Sequence, residues 1–153
     1  MSTGARVQFI RVDPTDPVRM ASWIHHISRL TGAPVTAAPS HPVVVWQLTA
    51  GNHRVLARGA TASASVEEAR ADVASVVAAR ERLVARMVRL ESSRAYGWLL
   101  LDDRTPVLTC ARWYALERDR RDSLRSARLE LDLLTDAGEG LREAPVVGSR
   151  SGR

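Results

Sequence analysis

The chain has 153 residues, 45% hydrophobic and 25% charged, which fits one globular domain able to bury roughly 70% of its unfolded surface. Net charge is +5 and all 22 basic residues are arginine, so nucleic acid or another polyanion is admissible as a partner but not demanded. No run approaches the roughly twenty apolar residues of a membrane span, no basic-then-apolar leader opens the chain, and the single cysteine excludes an intrachain disulfide, so a cytoplasmic protein with no membrane contact is expected.

Residues 6–12 (RVQFIRV) read as a strand. Asp16 then stands as a helix N-cap, with Pro17 at the first helical position, where its missing N–H costs nothing. Met20, Trp23, Ile24, Ile27 and Leu30 form the apolar face of that helix, and Gly32 closes it. Residues 1–32 are therefore expected as a strand–helix arm. Residues 33–42, with three prolines and no periodicity, are expected as a linker.

The next stretch, VVVWQLT from Val43 to Thr49, has the β-branched and aromatic composition of a half-buried strand. Gly51-Asn52 predicts a two-residue hairpin turn, and HRVLARG predicts the return strand. Ser65 and Glu68 form a capping box ahead of a helix whose apolar positions run from Val66 to about Leu90. Arg80 interrupts that stripe.

A second copy follows. Trp98 falls on Trp46, Leu100 on Leu48, Val107 on Val55 and Leu108 on Leu56, all at an offset of fifty-two. The helical stripes match better after a one-residue slip, which sets Leu124 against Val73. Its turn is Asp102-Asp103-Arg104-Thr105, with Pro106 at the start of the return strand. The second helix is expected to bury Leu116, Leu124, Ala127, Leu131 and Leu134, again interrupted by an arginine, Arg120. Either hairpin alone is marginal, so the two copies are expected to share one four-stranded sheet with helices on one face. Residues 43–136 form the core in this reading, and the glycine-rich 137–153 a structureless tail.

These residues resemble the YegP-like family of small tandem ββα proteins. That family's repeat carries an aromatic strand, an Asn in the turn, a hydrophobic pair on the return strand and a Tyr ahead of the helix. Trp46, Asn52 and Val55-Leu56 match it in the first copy, and Trp98, Val107-Leu108 and Tyr114 in the second. The first copy departs at Ala62, where the Tyr belongs, and the second at Arg104, where the Asn belongs. The resemblance implies an α+β fold with an antiparallel sheet packed on helices. It brings no catalytic residues with it.

No catalytic, cofactor or metal constellation emerges. His25 and His26 are helical neighbours pointing about 100° apart, and His41 and His53 fall in a linker and a turn, so no metal is expected. Cys110 reads as a small buried thiol, and Asp102-Asp103 as turn chemistry. Arginines are the remaining candidates. Arg82, Arg86, Arg89, Arg112, Arg118, Arg121, Arg125 and Arg128 are a candidate surface for nucleic acid or a protein partner. Interleaved acids such as Asp122 also allow ordinary helical pairs, Asp122 with Arg125 or Arg118. Arg80, Val84, Met87, Val88, Leu90 and Arg120 are a candidate interface, because a helical stripe of about 25 residues outruns a small sheet and invites a second copy. The expected function is a non-enzymatic interaction module, binding a protein partner or forming a homodimer. Nucleic-acid binding through the arginine-rich helices is the alternative.

Overall fold

The apolar strands gather into one seven-stranded sheet in a computed structural model, which describes residues 6–34, 39–136 and 147–148. The elements are β1 (Arg6–Val12), α1 (Pro17–Thr31), β2 (Val43–Thr49), β3 (Val55–Gly59), α2 (Val66–Ala79), β4 (Val84–Leu90), β5 (Ala95–Asp102), β6 (Thr105–Cys110), α3 (Glu117–Asp136) and β7 (Val147–Gly148). Across the sheet the order is β4-β5-β6-β3-β2-β1-β7. Neighbours are antiparallel except the two-residue β7, which runs parallel to β1. The chain is α+β, and no described helix is long and apolar enough to cross a membrane.

Alternation along the strands divides the core. Trp46, Leu48, Trp98, Leu100 and Leu108 face α2 and α3, which contribute Val73, Val76, Leu124, Ala127 and Leu131. Val43 and Val45 point the other way, with Val12, and meet Met20, Trp23 and Ile24 of α1. Helices therefore cover both faces, not one. This explains why β2 is buried at all seven positions and reads as a near-continuous apolar run. The strand–helix segment expected as an arm is part of this packing, since β1 pairs with β2 at every residue and Val7 and Phe9 enter the core.

The caps follow the sequence. Asp16 Oδ1 accepts the Arg19 N–H, Gly32 ends α1 at φ 77°, and Ser65 Oγ accepts the Glu68 N–H. Glu68 reaches back to the Ala64 N–H. The second hairpin turns on Asp103 and Arg104, both at positive φ, which matches the right-handed strand twist.

Three further expectations are corrected. The helix over residues 66–90 stops at Ala79, and Val84–Leu90 is a strand antiparallel to β5. Its short apolar run satisfies either period, and Glu91-Ser92-Ser93-Arg94 supplies the hairpin turn that makes strand pairing available. The first hairpin turns over Ala50–Arg54 with His53 at positive φ, because Ala50 pairs with Arg54 and His53 joins Gly51-Asn52 as a third loop residue. Leu116 is 47% exposed, since α3 begins one residue later. The tail expected without structure lies outside the described residues except at 147–148, where β7 forms.

The two halves are β1-β2-β3-α2 and β4-β5-β6-α3, related by a pseudo-dyad through the β3–β6 pair. Leu48 maps on Leu100 at an offset of 52, but its partner Ala57 maps on Leu108 at 51. The slip therefore lies in the hairpin turn, and Leu56 is equivalent to Val107 rather than Leu108. From there the offset of 51 persists, pairing Asp72 with Ser123 in role. The Trp46 indole donates to Asp72 Oδ2 at 2.7 Å and the Trp98 indole to Ser123 Oγ at 3.0 Å. On the dyad itself Arg58 stands opposite Thr109.

Candidate functional site

The arginines singled out in the sequence do not form one surface. Along β4, Arg86 pairs with Leu99 on the α1 face, whereas Arg89 pairs with Tyr96 on the α3 face. Arg82 leaves the turn before β4 to grip both Asp102 oxygens, at 2.9 and 3.1 Å, and holds that carboxyl below its ordinary range. Arg128 donates to the Leu83 carbonyl and ties α3 to the same turn. Arg118, Arg121 and Arg125 are exposed on α3, without the Asp122 pairs expected from helical spacing. Arg112 stacks on Tyr114 at 5.3 Å, and Arg89 and Arg120 both lie over Tyr96, at 5.8 and 5.1 Å. Tyr96 and Tyr114 exchange two backbone hydrogen bonds, so these three guanidiniums share one end of the sheet.

The residues expected to form a helical interface have separate fates. Arg80 pairs with Asp132 of α3 at 3.2 Å at the rim of the core. Arg120 is buried, where it donates to the Val88 carbonyl and to Glu117. Val88 packs on the core and Leu90 is half-buried. Val84 and Met87 are 63% and 48% exposed on β4. β4 ends the sheet, so its outer backbone groups pair with no described strand. Beside it lies a half-open hollow of about 420 Å³ walled by Val84, Arg86, Leu101 and Arg104.

A second cavity, of about 440 Å³, lies between α1 and the sheet and was not anticipated from the sequence. A polar row crosses this face through Gln8, Gln47, Arg58 and Thr109, which are paired in turn across four strands. Gln47 and Arg58 line the cavity from below, and Arg19, Ser22 and Trp23 line it from α1. Ile10, Val12 and Val45 supply apolar wall. Arg58 forms no ion pair among the described residues, its Nε is buried without a partner, and burial pushes its pKa down, with Arg19 adding to the effect. Trp23 Nε1 is likewise buried without an acceptor. Two polar residues in otherwise apolar strands, Gln47 and Arg58, were the available signal.

The histidines are dispersed. His26 Nε2 lies 2.8 Å from the Cys110 carbonyl, and burial lowers its pKa, while His25, His41 and His53 are exposed. Cys110 is fully buried and burial pushes its thiol up to about 11. Among the described residues no group of three His, Cys, Asp or Glu side chains is placed to hold a metal.

The fold is that of a known structure. The solution NMR structure of yegP from E. coli, itself described as a protein of unknown function, matches with a TM-score of 0.55. It covers 100% of this chain and 99% of that one at 11% identity. No protein-family model matches the chain, and neither does any curated protein.

Proposed function

From a YegP-like fold whose sheet ends, among the described residues, on the full-length strand β4, we propose that this chain is a non-enzymatic interaction module that takes an extended acidic segment of a partner protein along β4. The observation that carries the reading is the free seven-residue edge, flanked by exposed Val84 and Met87 and by Arg86 and Arg89 on opposite faces. Main-chain pairing supplies affinity in strand addition, and side-chain hollows supply selectivity. The hollow beside Val84 and Arg86 is suited to that second role. Charges on an edge also guard against pairing of like chains. Two copies paired about Met87 would set Arg86 and Arg89 of each along one seam.

A synthetic heptapeptide alternating Glu with Val is the direct probe. Amide exchange across β4 should slow when it binds, and Arg86→Glu with Arg89→Glu should abolish the effect. Slowed exchange elsewhere, or none at all, refutes the proposal. Light scattering at micromolar concentration tests the homodimer separately: a dimer mass assigns the edge to a second copy, and a monomer mass leaves it to the peptide.

The nucleic-acid reading has one specific observation in its favour, the exposed Arg89 and Arg112 guanidiniums over Tyr96 and Tyr114. Titration into labelled single-stranded and duplex DNA and RNA at two salt concentrations checks it. Affinity falling steeply with salt supports phosphate contact, and no binding at low salt removes it.

A further inference from the structure

An arginine on a sheet face beneath a helix is costly unless something meets its charge. Arg58 is such a residue, and its environment is short of acids. Of the described residues lining its cavity only Asp16 is acidic, and that carboxylate is occupied in capping α1 through the Arg19 N–H. Arg19 lines the same cavity and repels Arg58, so the described part of the wall carries one net positive charge. The fold does not require arginine here, because the equivalent position across the pseudo-dyad is Thr109, fully buried with its hydroxyl donating to the Arg58 carbonyl.

The rest of the lining is equally unspent. Gln47 is 9% exposed, beside Arg58 in register, and its side chain makes no hydrogen bond among the described residues. Trp23 adds a second orphaned donor, its indole Nε1. Of the three buried side-chain polar atoms without a partner among the described residues, two belong to this one cavity, Arg58 Nε and Trp23 Nε1. Opposite these groups Ile10, Val12 and Val45 offer apolar surface. A volume of about 440 Å³ with convergent donors and an apolar wall suits a small ligand.

We propose that the cavity between α1 and the sheet binds a carboxylate attached to an apolar body, anchored by the Arg58 guanidinium with Gln47 and Trp23 beside it. A planar carboxylate matches the guanidinium fork. The single net positive charge of the lining balances a monoanion better than a phosphate dianion, and the aliphatic wall would be wasted on an inorganic ion. The site goes beyond the β4 reading and lies on different residues.

The test uses the full chain and three probes: hexanoate, a Leu-Val dipeptide acetylated at its N-terminus, and inorganic phosphate, with hexanamide and the dipeptide amide as neutral controls. Trp23→Phe identifies the Trp23 indole proton among the four tryptophan signals. Hexanoate, the dipeptide acid, or both should move that proton and raise the melting temperature, while the amides and phosphate do neither. Indole protons of Trp46 and Trp98, already bonded to Asp72 and Ser123, should stay in place. The stronger of the two acids shows whether the natural carboxylate is a free small molecule or a peptide C-terminus. Arg58→Thr, which installs the residue found across the dyad, should weaken binding by about tenfold or more while leaving the unliganded protein at least as stable. Arg58→Met, a longer apolar replacement, should do the same. Failure of both acids, a response to phosphate alone, or undiminished binding in a folded Arg58 variant overturns the proposal.

Discussion

Ser123 is a small residue on which two larger ones depend, so replacing it with alanine should cost far more than its size suggests. Its hydroxyl accepts from the Trp98 indole at 3.0 Å and from the Tyr114 hydroxyl at 2.8 Å. Trp98 is fully buried, so Ser123→Ala leaves its N–H without an acceptor or access to water. An orphaned buried donor costs about 1–3 kcal/mol, whereas the half-buried Tyr114 hydroxyl can turn to solvent and adds little. The expected loss is about 2 kcal/mol, or a fall of about 4–8 °C in Tm for a chain of this length. Urea unfolding of wild type, Ser123→Ala, Trp98→Phe and the double variant completes the cycle. Phenylalanine has no donor to strand, so Ser123→Ala should cost about 1 kcal/mol less in that background. A single variant within about 0.5 kcal/mol of wild type, or a cycle additive to the same margin, would refute the reasoning.

The two stripe-breaking arginines should differ in unfolding assays: Arg120→Ala, which strips the Val88 carbonyl of a buried partner, should cost about 2 kcal/mol or more, and Arg80→Ala at the rim about 1 kcal/mol or less. Cys110, its thiol raised by burial, should resist a disulfide reagent at neutral pH until denaturant is added; reaction at the rate of a free thiol in the native state would contradict its burial. His26 is depressed below the ordinary 6.5 by burial, so the unfolded chain takes up its proton first as pH falls. Stability from this group should be complete above 6.5 and decline below it, and His26→Gln should flatten that part of the urea midpoint profile; an unchanged profile sinks the assignment. Gly59→Val should unfold the protein more readily, because a Cβ at 59 overlaps the Trp46 indole, and the same melting temperature would show that the ring can move aside.

What local pattern can encode was legible in the sequence. The caps of α1 and α2, both hairpins and the paired tryptophans depend on residues within one element or one turn. β4 was not legible, because VARMVRL satisfies a helical stripe as readily as a strand, and only the need of β5 for an outer neighbour decides between them. Arg80 misled in the same way: counted as a flaw in a long stripe, it marks where α2 ends. The cavity was hidden for a different reason. Its walls come from β1, α1, β2 and β3, and nothing local brings Trp23 to Arg58. Gln47 and Arg58 each read as a tolerable polar residue until register sets them side by side.

Arg58 and Thr109 also bear on how such a chain could acquire a charge at its centre. In a homodimer of one repeat, a residue on the two-fold axis meets its own twin, and arginine would face arginine directly across the strand pair, an unfavourable juxtaposition. Joining the repeats in a single gene dissolves that constraint. One copy can then turn cationic while its counterpart remains a threonine. Asymmetry at the axis is a freedom that covalent fusion confers and that a symmetric ancestor would have lacked.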